Sequence, residues 1–406
     1  MRDVAQDVVA RCRRIAQFSE SQSGTTRTFL CPAMHEVHAC LRDWMQSLGM
    51  QVSVDAIGNL RGLYSGSNRD GRRRVLMGSH LDTVPDAGAF DGVLGVVLGI
   101  ALIEALAGKR LPFDVEIIGF SEEEGVRFGI PFLGSRALAG TLNRELLQQR
   151  DERGVTICDA IRRFGLDPGG MGSALADPGA FAYVEFHIEQ GPVLDDLHQP
   201  LGIVQAIAGQ SRYQILFKGF ANHAGTTPMR LRRDALAGTA EWIGLVEAYA
   251  REVPDLVATV GTVRSEPQAG NVIPGVVRAS LDVRHASDTT RDEAAARLFS
   301  GASEIASRRG LEFSANGRLE QPAVQMNDHL VAVAQKAALS AGCGAPIMTS
   351  GAGHDAMILA AQIPSVMFFL RSPRGLSHCP QESVQVEDVE LALRVGLQFL
   401  TELTTE

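Results

Sequence analysis

The chain has 406 residues, 45% of them hydrophobic and 42 of them glycine, with a formal net charge of -9. That length exceeds one ordinary core and points to two domains of a soluble α/β protein. The negative balance offers no electrostatic basis for gripping DNA or RNA, so no nucleic-acid partner is expected.

The N-terminus, "MRDVAQDVVARCRRIAQF", is charged throughout and has no continuous apolar core, which argues against a secretory signal. Arg72, Arg73 and Arg74 form a short basic run that reads as a solvated turn before a strand. "RRVLMGSH" is a short apolar strand. The stretch from Gly92 to Gly108 approaches membrane-spanning length, but Asp91 opens it and Glu104 interrupts it. A buried helix is the better reading, with no membrane partner. "FDVEIIGFS", "FAYVEFHIEQG" and "IPSVMFFLR" read as three further strands. Strands alternating with helices predict an α/β catalytic domain: a mostly parallel or mixed sheet with helices on both faces, and active groups beyond the carboxyl ends of the strands. The six cysteines are scattered and form no CxxC, which suggests reduced thiols and a cytoplasmic location.

The rhythm changes in the middle of the chain. Strands are expected at 213–217, 256–264, 276–284 and 311–314, and helices at 234–252 and 292–309. Two helices against a small antiparallel sheet make a compact α+β unit. It reads as an insertion over residues 211–325, because the sheet resumes only after it. The catalytic domain is then 1–210 with 326–406.

Of the ten histidines, His35, His38, His198, His285 and His329 have no acidic cluster nearby and read as surface or packing residues. His80, His187 and His378 fall at or just beyond strand ends, and Asp91 and Glu124 sit at comparable places. Borderline divalent metals take imidazole and carboxylate ligands together. A carboxylate can span two ions, and Asp91 suits that task, in a glycine-flanked turn at a helix start.

Taken together, "GSHLDTV", "FDGVLGV", "EEEGVRF", "GSRALAG", "HIEQGPVLD", "FANHAGTTPMRLRRDAL", "GNVIPG", "SGAGHDA" and "GLSHCPQE" resemble the amidase/hydantoinase/carbamoylase family, a branch of the dinuclear-metal peptidases, over nearly the whole chain. The resemblance implies that His80, Asp91, Glu124, His187 and His378 hold two divalent metal ions, with Asp91 bridging. Zn or Mn are expected, and Co or Ni also suit the ligands. It implies Glu123 as general base. The triplet Glu122, Glu123, Glu124 leaves open a shifted frame, with Glu122 as base and Glu123 as ligand. Asp82 is expected to hold the His80 imidazole by its second N–H, and His354 to support the metal site. A guanidinium grips a carboxylate with two prongs, and Arg284 is the expected anchor. The resemblance adds Gln210, His223, Asn271 and Gly353 as substrate-binding positions.

The expected activity is hydrolysis of a ureido carbon–nitrogen bond in a small carboxylate-bearing molecule. Allantoate comes first, giving ureidoglycine, ammonia and carbon dioxide. An N-carbamoyl-L-amino acid is the alternative, followed by a dipeptide or acyl amino acid on the same scaffold. A catalytically dead binding protein would lack a ligand or the base, and none is missing. The inserted domain is expected to form a homodimer, with its lid residues acting in cis or across the interface.

Overall fold

The structure, a computed structural model, describes residues 1–68 and 73–405. The chain divides into two compact units, Met1–Gln205 with Met326–Glu406, and Ala206–Gln325.

The first unit is built on a twisted sheet. Its strands run in the order Gln51–Val54, Leu60–Tyr64, Asp114–Phe120, Arg74–His80, Ala180–Ile188, Ser365–Leu370 and Leu201–Ile207, with Ile347–Ser350 also paired to the last. The four central strands are parallel to one another. Those on either side, Leu60–Tyr64 and Leu201–Ile207, are antiparallel, so the sheet is mixed. Every residue of Arg74–His80 and of Ser365–Leu370 is buried, the signature of parallel strands covered on both faces.

Alternation along Ala180–Ile188 shows what covers each face. A Cβ on Gly95 of the Val93–Ala105 helix would come 2.1 Å from the Phe186 carbonyl oxygen, and one on Gly396 of the Val386–Glu402 helix would meet the Phe186 ring. Glu185, pointing the other way, accepts from the backbone N–H of Ala356 at the start of the short Asp355–Leu359 helix. The Val93–Ala105 helix is buried almost along its whole length, as expected of the apolar run after Asp91. Among the described residues no helix is long and apolar enough to cross a membrane.

In the basic run before the central strand, Arg74 is not part of a solvated turn, whereas Arg73 is exposed. Arg72 lies outside the described residues. Arg74 opens the strand at 8% exposure, with its guanidinium on Glu116 at 2.7 Å and Asp177 at 3.0 Å. Arg73 lies 4.0 Å over the Phe181 ring. Arg61 completes the network on Glu116 at 2.6 Å.

The second unit is an antiparallel sheet in the order Val263–Glu266, Val276–His285, Gly209–Lys218 and Glu312–Gln321, with Val257–Thr259 also on Val276–His285. The helices Ala235–Glu252 and Asp288–Arg309 pack against it around Trp242, Phe217, Leu281 and Leu298. Asp234 caps the first helix by accepting from Leu236 and Ala237, both at 3.0 Å. Ser287 caps the second, so that helix starts at Asp288, before the expected 292. The strand expected at 256–264 is broken. Thr259 pairs with Asp282 and Val263 with Ala279, so four steps on one strand face three on the other. The extra residue makes a bulge around Gly261. The last strand runs on to Gln321, well past 314. Its polar sequence and the register shift between Gly317 and Leu319 erase the apolar period.

Candidate metal centre

The chemistry-bearing side chains of the first unit lie where the parallel strands end. His80 closes its strand, His187 is the penultimate residue of Ala180–Ile188, and Glu123 and Glu124 follow Phe120 by a short turn. His378 lies in the loop after Ser365–Leu370, with φ at 56°. Asp91 precedes Gly92, whose φ is 65°. A Cβ there would stand 2.5 Å from three atoms of the His80 ring, so glycine is what lets the Asp91 turn close on that imidazole.

Asp91 is the hub. Its Oδ1 is 3.2 Å from His187 Nε2 and 3.8 Å from His80 Nε2, and its Oδ2 is 3.1 Å from His378 Nε2. Three donor groups result, each with atoms within 4.8 Å of one another: His80, Asp91 and His187; Asp91, Glu124 and His378; and His80, Glu123 and Glu124. Asp91 is common to the first two.

The imidazoles are preset to coordinate. His80 Nδ1 donates to the backbone carbonyl of Asp82 at 2.9 Å, and His187 Nδ1 to that of Ile188 at 2.8 Å. In the neutral form, with those protons on Nδ1, the two Nε2 atoms present lone pairs 3.4 Å apart. Two lone pairs so placed repel unless a cation lies beside them, and the surrounding carboxylates are buried. The donor set therefore suits divalent metal ions.

The Asp82 side chain does not hold His80 as expected. Its nearer carboxylate oxygen is 3.6 Å from Nδ1, too long for a hydrogen bond, because the chain turns its own carbonyl toward the ring. The carboxylate instead accepts from the backbone N–H groups of Glu123 at 2.9 Å and Glu124 at 3.1 Å. Within the glutamate triplet, Glu124 reaches His378 at 3.7 Å, Glu123 belongs with His80, and Glu122 joins no donor group. The Glu122 carboxylate is fully buried.

Burial and crowding shape the charges. Burial pushes the Glu123 carboxyl well above its usual range, against the pull of His80. Burial, with Asp91 and Asp82 close by, raises Glu124 to about 7. Asp91 goes the other way. Burial opposes its charge, but His187, His378 and His80 outweigh it and hold the group well below the usual value. A centre this rich in buried carboxylates is short of positive charge, which divalent ions supply.

His354 packs its ring on His187, with centroids 4.5 Å apart, and its Nε2 meets Ser350 Oγ at 2.8 Å. Beside it, a Cβ on Gly353 would come 2.8 Å from the Phe132 ring. In the second unit, Gln210 stands directly opposite Arg284 in the antiparallel ladder. Arg284 donates from Nε and Nη2 to the two oxygens of Asp282, at 2.8 and 3.1 Å. His223 pairs with Val272, next to Asn271, whose carbonyl accepts from Ala224. His223 Nδ1 accepts from the N–H groups of Gly225 and Thr226, which leaves the proton on Nε2.

Two residues escaped the sequence reading. The Gln190 amide donates to both Asp91 oxygens at 3.2 Å and stands 3.2 Å from His378 Nε2. Glu382 accepts from the backbone of Phe90 and Asp91. Both lie inside the quoted motifs "HIEQGPVLD" and "GLSHCPQE", three residues after His187 and four after His378.

Comparison with known proteins agrees with this geometry. A model of peptidase family M20/M25/M40 matches residues 76–402. The chain is 36% identical to an allantoate deiminase of Arabidopsis thaliana over 428 residues, covering 97% of this chain and 81% of that one. It is 37% identical to an N-carbamoyl-L-amino acid amidohydrolase of Geobacillus stearothermophilus over 379 residues, covering 93% and 92%. A hydantoinase/carbamoylase family amidase from Burkholderia ambifaria superposes with a TM-score of 0.91 at 31% identity, covering 98% and 96%. With donor groups joined at one buried aspartate and relatives that cleave carbon–nitrogen bonds, the chain is a hydrolase of such bonds and belongs to peptidase family M20/M25/M40.

Proposed function

We propose that this enzyme hydrolyses allantoate to ureidoglycine, ammonia and carbon dioxide, using Zn or Mn held by His80, Asp91 and His187 on one side and by Asp91, Glu124 and His378 on the other. The observation that carries this reading is the sharing of Asp91 between two donor groups, with Glu123 adjoining. Two divalent ions in such a centre polarise a carbonyl and acidify water.

The residues divide the remaining work. Glu123 takes the proton of the attacking water and returns it to the departing nitrogen. Its backbone, pinned to Asp82, keeps the carboxylate beside His80. Attack at a ureido carbonyl releases ammonia, and the carbamate left behind loses carbon dioxide to give ureidoglycine. Arg284, oriented by Asp282, grips the substrate carboxylate. His223 offers its Nε2–H, while Gln210, Asn271 and the Gly353 backbone bind the ureido arms.

Allantoate is favoured over an N-carbamoyl amino acid because these positions are polar or small, and a second ureido arm needs hydrogen-bond partners where an apolar side chain would need an apolar wall. The 36% identity to an allantoate deiminase supports it, and the 37% identity to a carbamoylase keeps the alternative in view. The reading includes a cytoplasmic homodimer. In support, all six cysteines are free thiols. The Glu312–Gln321 strand ends one edge of the second unit's sheet, where Leu319 is exposed, and Val257 is exposed on the Val257–Thr259 strand at the opposite edge.

The test is kcat/KM, by ammonia release, for allantoate and for N-carbamoyl amino acids with one Mn- or Zn-loaded preparation. Allantoate should win. A carbamoyl amino acid ahead by tenfold, about 1.4 kcal/mol in transition-state binding, refutes the substrate while leaving the family intact.

A further inference from the structure

Glu382 belongs to none of the donor groups around Asp91, yet it is 5% exposed. Its Oε1 accepts from two successive backbone N–H groups, Phe90 at 2.8 Å and Asp91 at 2.9 Å. Its Oε2 accepts from the Ser377 hydroxyl at 3.3 Å. Ser377 directly precedes His378. One carboxylate therefore ties the backbone of Asp91 to the loop that carries His378. The chain leaves room for it, since a Cβ on Gly88 would come 2.4 Å from Glu382 Cβ and 2.8 Å from its Oε1.

Asp82 is a matching brace with different ends. It joins the loop of His80 to the amides of Glu123 and Glu124. His80 and His187 also have backbone acceptors of their own and lie in buried strands. Of the five metal-directed side chains, His378 is the one left half exposed, at 49%. Its placement owes least to packing and most to whatever holds its loop.

We propose that Glu382 is a positioning residue that maintains the ion site made by Asp91, Glu124 and His378, and does so by accepting hydrogen bonds, with its charge dispensable. This rests on the two-ion reading above. Oε1 takes both backbone donors, so a glutamine can keep that oxygen in place and turn its amide nitrogen toward the Ser377 hydroxyl oxygen. An alanine leaves two buried N–H groups without a partner and frees the His378 loop.

The experiment strips the full-length enzyme with a chelator and reloads it with Co2+. Stoichiometry and stepwise affinities are read by calorimetry, and the visible absorption of each bound ion by spectroscopy. The wild type should take two ions. Glu382→Ala should keep one affinity and weaken the other by about 10–100-fold, the usual scale for a lost support of a metal ligand. Glu382→Gln should hold both affinities within about threefold, as when a hydrogen bond is exchanged and not lost. Gly88→Ala displaces the Glu382 side chain without changing its carboxylate and should reproduce the selective loss. If Glu382→Ala does not fold, the glutamine and Gly88→Ala variants decide. Equal weakening of both ions, no weakening of either, or a glutamine as damaging as Gly88→Ala would overturn the role of Glu382. A wild type that takes fewer than two ions would overturn the two-ion centre, and this inference with it.

Discussion

Replacing Gly92 by alanine puts the close approach of Asp91 and His80 to a direct test. The perturbation has two parts. At a φ of 65°, an L-residue costs roughly 1–2 kcal/mol in backbone strain. The new Cβ would stand 2.5 Å from three His80 ring atoms, where ordinary contact begins near 3.4 Å. Relieving such an overlap in a packed interior costs about 1–3 kcal/mol, for a total of roughly 2–5 kcal/mol. At roughly 2–4 °C per kcal/mol for a large domain, Tm should fall by about 4–20 °C. The ring has to yield by about 1 Å, a displacement that can cost on the order of 100-fold in turnover. Gly108→Ala is the control, because φ there is 84° but nothing lies within 4 Å of the added carbon. It should show the backbone penalty alone and leave kcat unchanged. Calorimetric melting and kcat on metal-loaded protein measure both effects. Equal losses in the two variants, with turnover intact in Gly92→Ala, would refute the close-approach argument.

Two further outcomes are expected. Glu123→Gln keeps the shape and removes proton acceptance, so metal content by elemental analysis should survive while kcat drops by about two to four orders of magnitude; unchanged turnover in a metal-loaded variant rules out the role. His38, on the Ala33–Ser47 helix and away from the metal centre, is buried, and burial together with the charges of Arg42 and His35 lowers its pKa from 6.5 to about 3. The unfolded chain protonates this group first, so its contribution to stability is intact above pH 6.5 and is lost as pH falls toward 3. The deficit reaches about 2 kcal/mol at pH 5. His38→Leu should remove that part of the acid sensitivity in urea unfolding at pH 7 and pH 5, and an unchanged difference between the two pH values would contradict the assignment.

What could be read from the sequence follows from what leaves a mark in residue type. Fully buried parallel strands are apolar runs that stop abruptly, so Arg74–His80 and Ser365–Leu370 announce themselves, and imidazoles and carboxylates just past their ends are conspicuous. The antiparallel flank Gln51–Val54 is short and half exposed and carries no such signal. The bulge at Gly261 is a one-residue offset between two ladders, invisible until both partners are in place. Two groups of Asp82 compete for His80, and the backbone carbonyl, present in every residue and so silent in the sequence, is the nearer. Glu382 and Gln190 bond to backbone and carboxylate partners far away in the chain, and no local spacing encodes that. Arg74 looked like surface charge because its counter-charges, Glu116 and Asp177, come from distant segments.

The pairing of Ala180–Ile188 with Ser365–Leu370 has a consequence for how the chain is made. The two partners are separated by about 180 residues, the whole second unit among them, which a ribosome adds in roughly 10–35 s at 5–20 residues per second. Throughout that interval the nascent sheet carries an open edge along Ala180–Ile188, and the Phe186 ring lacks its stacking partner Phe368. The second unit is contiguous and can complete itself meanwhile, whereas its host must wait. His378 emerges last of the five metal-directed residues, so the centre is finished only near the end of synthesis. The half-made host is the stage at which this chain is most exposed to aggregation and most in need of a chaperone.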